Sequence, residues 1–157
     1  MNSLIKYSLV MSFFSVIGCG SSPLKQEDYK YYNPSFKLSK NSLLRIDGVY
    51  LAKKGNSSYR ALSFCTNSLY TEQYGENFDP VQLEQIKINR ESICNSKNNN
   101  YYYRIEGDEI KLMHSERFKG FVYETARITK DTLYYKEAND DWTQKRKEHP
   151  YQFIPFQ

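Results

Sequence analysis

The chain has 157 residues, with 22 Lys and Arg against 18 Asp and Glu, giving a formal net charge of +4. Basic and acidic residues are interspersed, which excludes a nucleic-acid binder or polyanion sink built on a basic patch. The 16% aromatic share, mostly Tyr, points to strands, where aromatic rings pack well on a pleated surface.

Lys6 precedes an apolar run, Leu9 to Ile17, that is too short to cross a bilayer as a stable span. The run closes on Val16-Ile17-Gly18-Cys19. Apolar-apolar-small-Cys at this place resembles the lipobox of bacterial lipoproteins. The resemblance implies that the Cys19 thiol is diacylated, that residues 1–18 are removed as a signal peptide, and that the new N-terminus is acylated as well. An ordinary secretory signal or a membrane-anchored helix is the alternative. Each buried methylene contributes about 0.8 kcal/mol, so two or three acyl chains make a lasting membrane anchor. Gly20 stands where an aspartate would imply retention at the inner membrane, so the resemblance implies the outer membrane. Ser21, Ser22 and Pro23 follow without an acidic residue, which favours the periplasmic face over the cell surface.

Lipidation leaves Cys65 and Cys94, an even pair expected to bridge in an oxidising compartment. Closing a loop of about 30 residues stabilises by roughly 3–4 kcal/mol. Two free thiols are the alternative. His114 and His149 lack ligand spacing, so neither a metal site nor a cofactor is expected.

In chain order, Ser21 to Ser42 is polar and broken by Asn33-Pro34. It reads as an extended lead-in with no buried face, making residues 19–42 the lipidated N-terminus and flexible tether. Residues 43–157 are then the folded domain. Leu43 to Leu51 is the first strand, with Gly48 as a bulge or bend. Tyr59 to Thr66 and Leu69 to Tyr74 follow as strands, and Leu62 and Phe64 take the buried face, turning Cys65 outward. Asp79 before Pro80, with apolar Leu83 and Ile86, starts a short helix expected to run to about Asn89. Ser96 to Asn100 is a polar loop.

Gly107-Asp108 is a two-residue turn between Tyr101–Glu106 and Glu109–His114. It sets Ile105 opposite Ile110, Tyr103 opposite Leu112 and Tyr101 opposite His114 on one face. The other face turns Tyr102 outward beside Arg104. There Arg104 faces Lys111 and Glu106 faces Glu109, so opposite charges are expected to pair on the diagonals. A second turn at Lys130-Asp131 sets Ile128 opposite Leu133 and Ala126 opposite Tyr135. Glu124 then shares the inward face, unless a one-residue slip turns it to solvent. Lys145-Arg146-Lys147 reads as a solvated loop, His149 as an exposed residue in that charged loop, and Tyr151 to Ile154 as the closing strand.

Arg45-Ile46-Asp47-Gly48-Val49-Tyr50, a helical insertion, Tyr103 to Ile110, Ile128 to Leu133 and a terminal Tyr-x-Phe-Ile together resemble lipocalin-like lipoproteins of the Bacteroidota type. The resemblance covers most of the chain after Cys19 and rests on turns and strand openings. It implies an all-β domain, a small antiparallel meander barrel of about eight strands with one short helical insertion. The Cys65/Cys94 pair is no part of that family pattern.

No nucleophile elbow, phosphate loop or His-Glu-x-x-His motif occurs, and no enzymatic activity is expected. The expectation is a barrel that binds a small apolar or amphipathic ligand, with Tyr101, Tyr103, His114, Glu124 and Tyr135 as candidate contacts. A carboxylate inside a barrel must be paired or protonated, which makes Glu124 a candidate for a ligand's polar head. The bland reading of His114 is a rim histidine hydrogen-bonded within the fold. The alternative function is a filled barrel that contacts another envelope protein through its outer surface. The expected partners are thus the membrane, through the N-terminal lipid, and either a small ligand or an envelope protein. The domain is expected to be a monomer.

Overall fold

A computed structural model describes residues 24–54, 57–97, 99–116, 120–136 and 148–157. Cys19, residues 1–18 and Lys145-Arg146-Lys147 lie outside the described residues. Among the described residues, eight strands and one α-helix follow in the order β1 (Gly48–Lys54), β2 (Ser58–Phe64), β3 (Tyr70–Glu76), α1 (Pro80–Cys94), β4 (Tyr101–Glu106), β5 (Glu109–Glu116), β6 (Gly120–Ile128), β7 (Thr132–Lys136) and β8 (Glu148–Pro155). All pairings are antiparallel. The first and last strands pair, and the sheet order is β3-β2-β1-β8-β7-β6-β5-β4. The sheet curls until its two edges meet, with Leu69, just before β3, bridged to Tyr102 of β4. The result is an open barrel, the all-β meander with one helix that the strand pattern implies. Curling leaves one short seam in place of two long exposed edges.

Both hairpin registers follow the turns. Gly107 takes a φ of +65°, a conformation glycine adopts without steric cost, and Ile105 faces Ile110, Tyr103 faces Leu112 and Tyr101 faces His114. Ile128 faces Leu133 and Ala126 faces Tyr135 across the second turn. Because side chains alternate, these registers turn Tyr103, Ile110, Leu112, Ala126, Ile128, Leu133 and Tyr135 into one core with Tyr50, Leu62, Phe64, Tyr70 and Tyr151. On the outer face, Arg104 pairs with Glu106 and Lys111 with Glu109, each at 2.6 Å along its own strand. The expected diagonal pairing gives way to these neighbours two residues apart, which lie on the same face of one strand.

Gly48 is a close approach. A Cβ there would lie 2.2 Å from the Ile154 carbonyl oxygen and 2.5 Å from the Phe153 ring. The strand begins at this residue, later than expected, because residues 36–46 cover one end of the barrel. Leu44 is buried, Phe36, Leu38 and Ile46 pack on the core, and the Arg45 amide donates to the Tyr50 hydroxyl at 2.9 Å.

Asp79 caps α1 by accepting from the Gln82 amide at 2.9 Å, and Pro80 occupies the first turn. Ile86 and Leu83 pack against Val49, Leu51, Tyr59 and Ala61 on the outer wall of β1 and β2. The helix runs past Asn89 to Cys94 because its last turns are tied down. Arg90 Nε donates to the Phe64 carbonyl at 2.9 Å, and Cys94 is bridged to Cys65 with Cα atoms 5.6 Å apart. Cys65 faces outward from the barrel, as alternation requires, yet is 1% exposed beneath this cover.

One expectation on the outer wall is overturned. The stretch before residue 42 has buried residues after all: Tyr29 and Tyr31 cluster with Tyr102, Met113, Leu69 and Cys65. Tyr102 does point away from the barrel interior, but it is 0% exposed because Tyr29 and Tyr32 cover it, at 4.8 and 5.6 Å between ring centroids. Aromatic rings spaced through an otherwise polar stretch gain more from burial than chain ordering takes away, so the segment docks. His149 is also not in a loop. It lies in β8, opposite Tyr135.

Candidate functional site

Alternation along β2 sends Arg60 into the barrel with Leu62 and Phe64, since all three share one parity. Its side chain is 4% exposed. From there the guanidinium gathers a network from four other strands. Nε donates to Glu72 of β3, Nη1 to the Tyr151 hydroxyl of β8 at 3.3 Å, and Nη2 to Glu124 of β6 at 3.2 Å and to the Tyr135 hydroxyl of β7 at 2.7 Å. The guanidinium carbon also lies 4.3 Å from the Tyr135 ring centroid. Glu72 takes a second hydrogen bond from the Tyr74 hydroxyl.

Burial alone would lower the Arg60 pKa. The Tyr135 oxygen and the Glu72 and Glu124 carboxylates outweigh it, so the net shift is upward and the charge is locked in place. Burial raises the Tyr135 and Tyr70 phenols far above their usual range, with neighbouring carboxylates adding to the rise. These tyrosines are therefore neutral hydrogen-bonding groups at physiological pH. A guanidinium offers five N–H donors in a fixed fork, and the four bonds to Glu72, Tyr151, Glu124 and Tyr135 engage most of them. Little of that fork is left for an external anion.

His114 borders the network. Its Nδ1 is 3.2 Å from the Tyr70 hydroxyl and 3.9 Å from Glu124 Oε2, and its Nε2 is 3.4 Å from Glu116 Oε1. Its ring stacks on Tyr101 at 5.4 Å with 20° between planes. Tyr101, His114, Glu124 and Tyr135 of the expected contacts thus converge. Tyr103 does not join them. Its hydroxyl donates to the Cys65 carbonyl and its ring packs on Phe36 and Phe64, away from the Arg60 network.

Sequence reasoning missed Arg60 and Glu72. The signal was present, because Arg60 shares its parity with Leu62 and Phe64, and Glu72 shares its parity with Tyr70. Each, taken singly, reads as an ordinary charged strand residue facing water. Their inward placement makes sense only as a set, since a buried charge must find its counter-charge across the barrel.

Within and around the network, the core residues are packed against one another. Tyr50, Leu62, Phe64, Tyr70, Tyr103, Ile110, Leu112, Ala126, Leu133 and Tyr135 each have 0% exposure, so no water-sized space touches any of them. Grooves lie elsewhere: about 380 Å³ beside the covering segment at Phe36, Leu38, Leu43 and Ile105, and about 510 Å³ between Leu51, Tyr59, Phe78 and Ile154 on the outer wall. No family model, no curated protein sequence and no solved structure matches this chain.

Proposed function

We propose that this protein is a lipid-anchored envelope lipoprotein whose barrel is filled by its own side chains and which acts through its outer surface on another envelope component. The lipobox-like Val16-Ile17-Gly18-Cys19 supports the anchor and the location at the outer membrane. What carries the choice between a ligand carrier and an interaction module is the absence of exposure at the core residues. A carrier cavity for a small molecule has a volume of roughly 300 Å³ or more. Creating one inside the barrel requires displacing tyrosines from sites that satisfy both their rings and their hydroxyls.

The test uses the mature protein and the apolar fluorescent probe 1-anilinonaphthalene-8-sulfonate. The expected result is no saturable fluorescence gain at neutral pH, together with acyl groups on the N-terminal peptide by mass spectrometry. Stoichiometric, saturable probe binding that Leu112→Trp abolishes would instead favour an interior ligand. A Cys19→Ala protein that still fractionates as mature, membrane-bound material would remove the lipid-anchor reading.

A further inference from the structure

We infer that the outer wall formed by β4, β5 and β6 is held against the bilayer surface, so that the wall formed by β8 and β1 faces away from it. The inference rests on acylation of Cys19 and deepens that reading by fixing the domain's orientation.

The first observation is where the chain first grips the domain. Gln26 Nε2 donates to the Lys97 carbonyl. The Tyr29 hydroxyl bonds Asn100 Oδ1 and Ser115 Oγ, both at 2.9 Å, and its ring packs on Tyr102 and Phe121. Tyr29 is 3% exposed. The fixed point of the N-terminal segment is therefore the outer wall at the start of β4, the end of β5 and the start of β6, rather than the first strand at Gly48.

The second observation is length. Only Gly20 to Lys25 separate Cys19 from Gln26, and a fully extended chain advances about 3.6 Å per residue, so the leash spans at most roughly 25 Å. A folded unit of this size is about 35 Å across. Turning β8 and β1 towards the membrane would carry the grip point farther from the bilayer than the leash allows. β8 lies four strands from β4 along the sheet, on the other side of the ring.

The third observation is what this wall exposes. Tyr123 of β6 is 45% exposed. Leu24, at 50%, is exposed with Lys25 and Lys30 in the segment that leads to Tyr29 and Tyr31, as is Lys97, whose carbonyl Gln26 binds. Amphipathic tyrosines and snorkelling lysines suit the boundary between headgroups and water. Glu27 and Asp28 offset part of the positive charge, so the leash rather than the charge sets the orientation.

The full, processed chain is reconstituted in nanodiscs of phosphatidylethanolamine and phosphatidylglycerol, a fraction of whose headgroups carry gadolinium chelates. Amide NMR intensities are compared with those in discs without gadolinium. Amides of residues 100–102 and 121–123 are expected to lose most of their intensity, while those of residues 50–52 and 151–153 keep theirs. A flexible Gly/Ser insertion of about 20 residues after Pro23 should abolish the contrast, because its reach then exceeds the domain's width. Uniform loss in the wild-type chain, or greater loss at 151–153, overturns the orientation while leaving the anchor intact. A mature N-terminal peptide without acyl mass overturns the reading of Cys19, and the orientation with it.

Discussion

Arg60 Nη2 lies 3.2 Å from Glu124 Oε2, joining β2 to β6 across the barrel interior although β1, β8 and β7 separate them in the sheet. Glu72 closes on the same guanidinium from β3, and its side chain is only 5% exposed. One buried cation on β2 thus holds two carboxylates and two tyrosine hydroxyls from four other strands in a single arrangement. Charges are individually expensive to bury, so this network fixes how the curled sheet closes more than it adds net stability.

Removing the guanidinium alone should therefore be severe. Arg60→Met leaves Glu72 and Glu124 buried without their partner, and breaking such a set costs about 3–5 kcal/mol. Adding Glu72→Gln and Glu124→Gln should restore most of that loss, because the amides no longer require a counter-charge. Urea unfolding midpoints of the single and triple variants are the measurement. Equal midpoints for the two variants would mean that Arg60 matters for its packing and not for its charge.

Buried phenols set an alkaline limit. Burial pushes Tyr50 up to about 12 and drives Tyr70, Tyr103 and Tyr135 upward as well. Below the unfolded-state pKa of about 10, both states hold these protons and the burial of neutral rings contributes in full. Above it, the unfolded chain releases phenolic protons that the folded chain retains, so stability falls as pH rises. Phenolate absorbance at 295 nm should rise for the exposed tyrosines first, and the buried set should follow in one cooperative step coincident with loss of the folded circular-dichroism signal. Gradual, non-cooperative titration of every tyrosine with the fold intact would contradict the packing described.

Much of this architecture is legible in the sequence, and the exceptions have physical causes. The turns at Gly107-Asp108 and Lys130-Asp131 determine register locally, because side chains alternate strictly away from a two-residue turn. Helix initiation at Asp79-Pro80 is local too. The end of α1 is not, since Arg90 and Cys94 depend on Phe64 and Cys65 in a distant strand. Tyr29 and Tyr31 read as a polar lead-in because nothing in residues 21–42 reveals that Tyr102 and Met113 lie uncovered on the outer wall. Arg60 hid for a similar reason: its partners come from four other strands, and only the closed sheet brings them together.

The disulfide links that outer layer to the barrel. Cys65 and Cys94 are 29 residues apart, and a loop of that size stabilises by about 3–4 kcal/mol through its effect on the unfolded chain. Cys65→Ala with Cys94→Ala should lower the urea midpoint accordingly while leaving the strand signal unchanged. Hydrogen exchange should quicken first in the last turns of α1, where the Arg90 bond to the Phe64 carbonyl and the Asn67 bond to the residue-94 carbonyl still tie the helix down. A double variant as stable as the wild type would show that the helix end is held without the bridge.

Tyr29 tests whether the segment before residue 42 belongs to the fold. Its ring covers Tyr102 and Phe121, and its hydroxyl bonds Asn100 and Ser115. Tyr29→Phe keeps the ring and removes the hydroxyl, a loss of about 1 kcal/mol for bonds of this kind. Tyr29→Ala removes the ring as well and opens the wall over Tyr102, which for a large buried aromatic costs about 3–5 kcal/mol. Amide exchange at Tyr102 and Met113 should then quicken in the alanine variant and stay near wild-type rates in the phenylalanine variant. The order of the two variants carries the argument: a tether that merely brushes the wall would leave both indistinguishable from wild type, whereas a docked segment separates them by the weight of one aromatic ring.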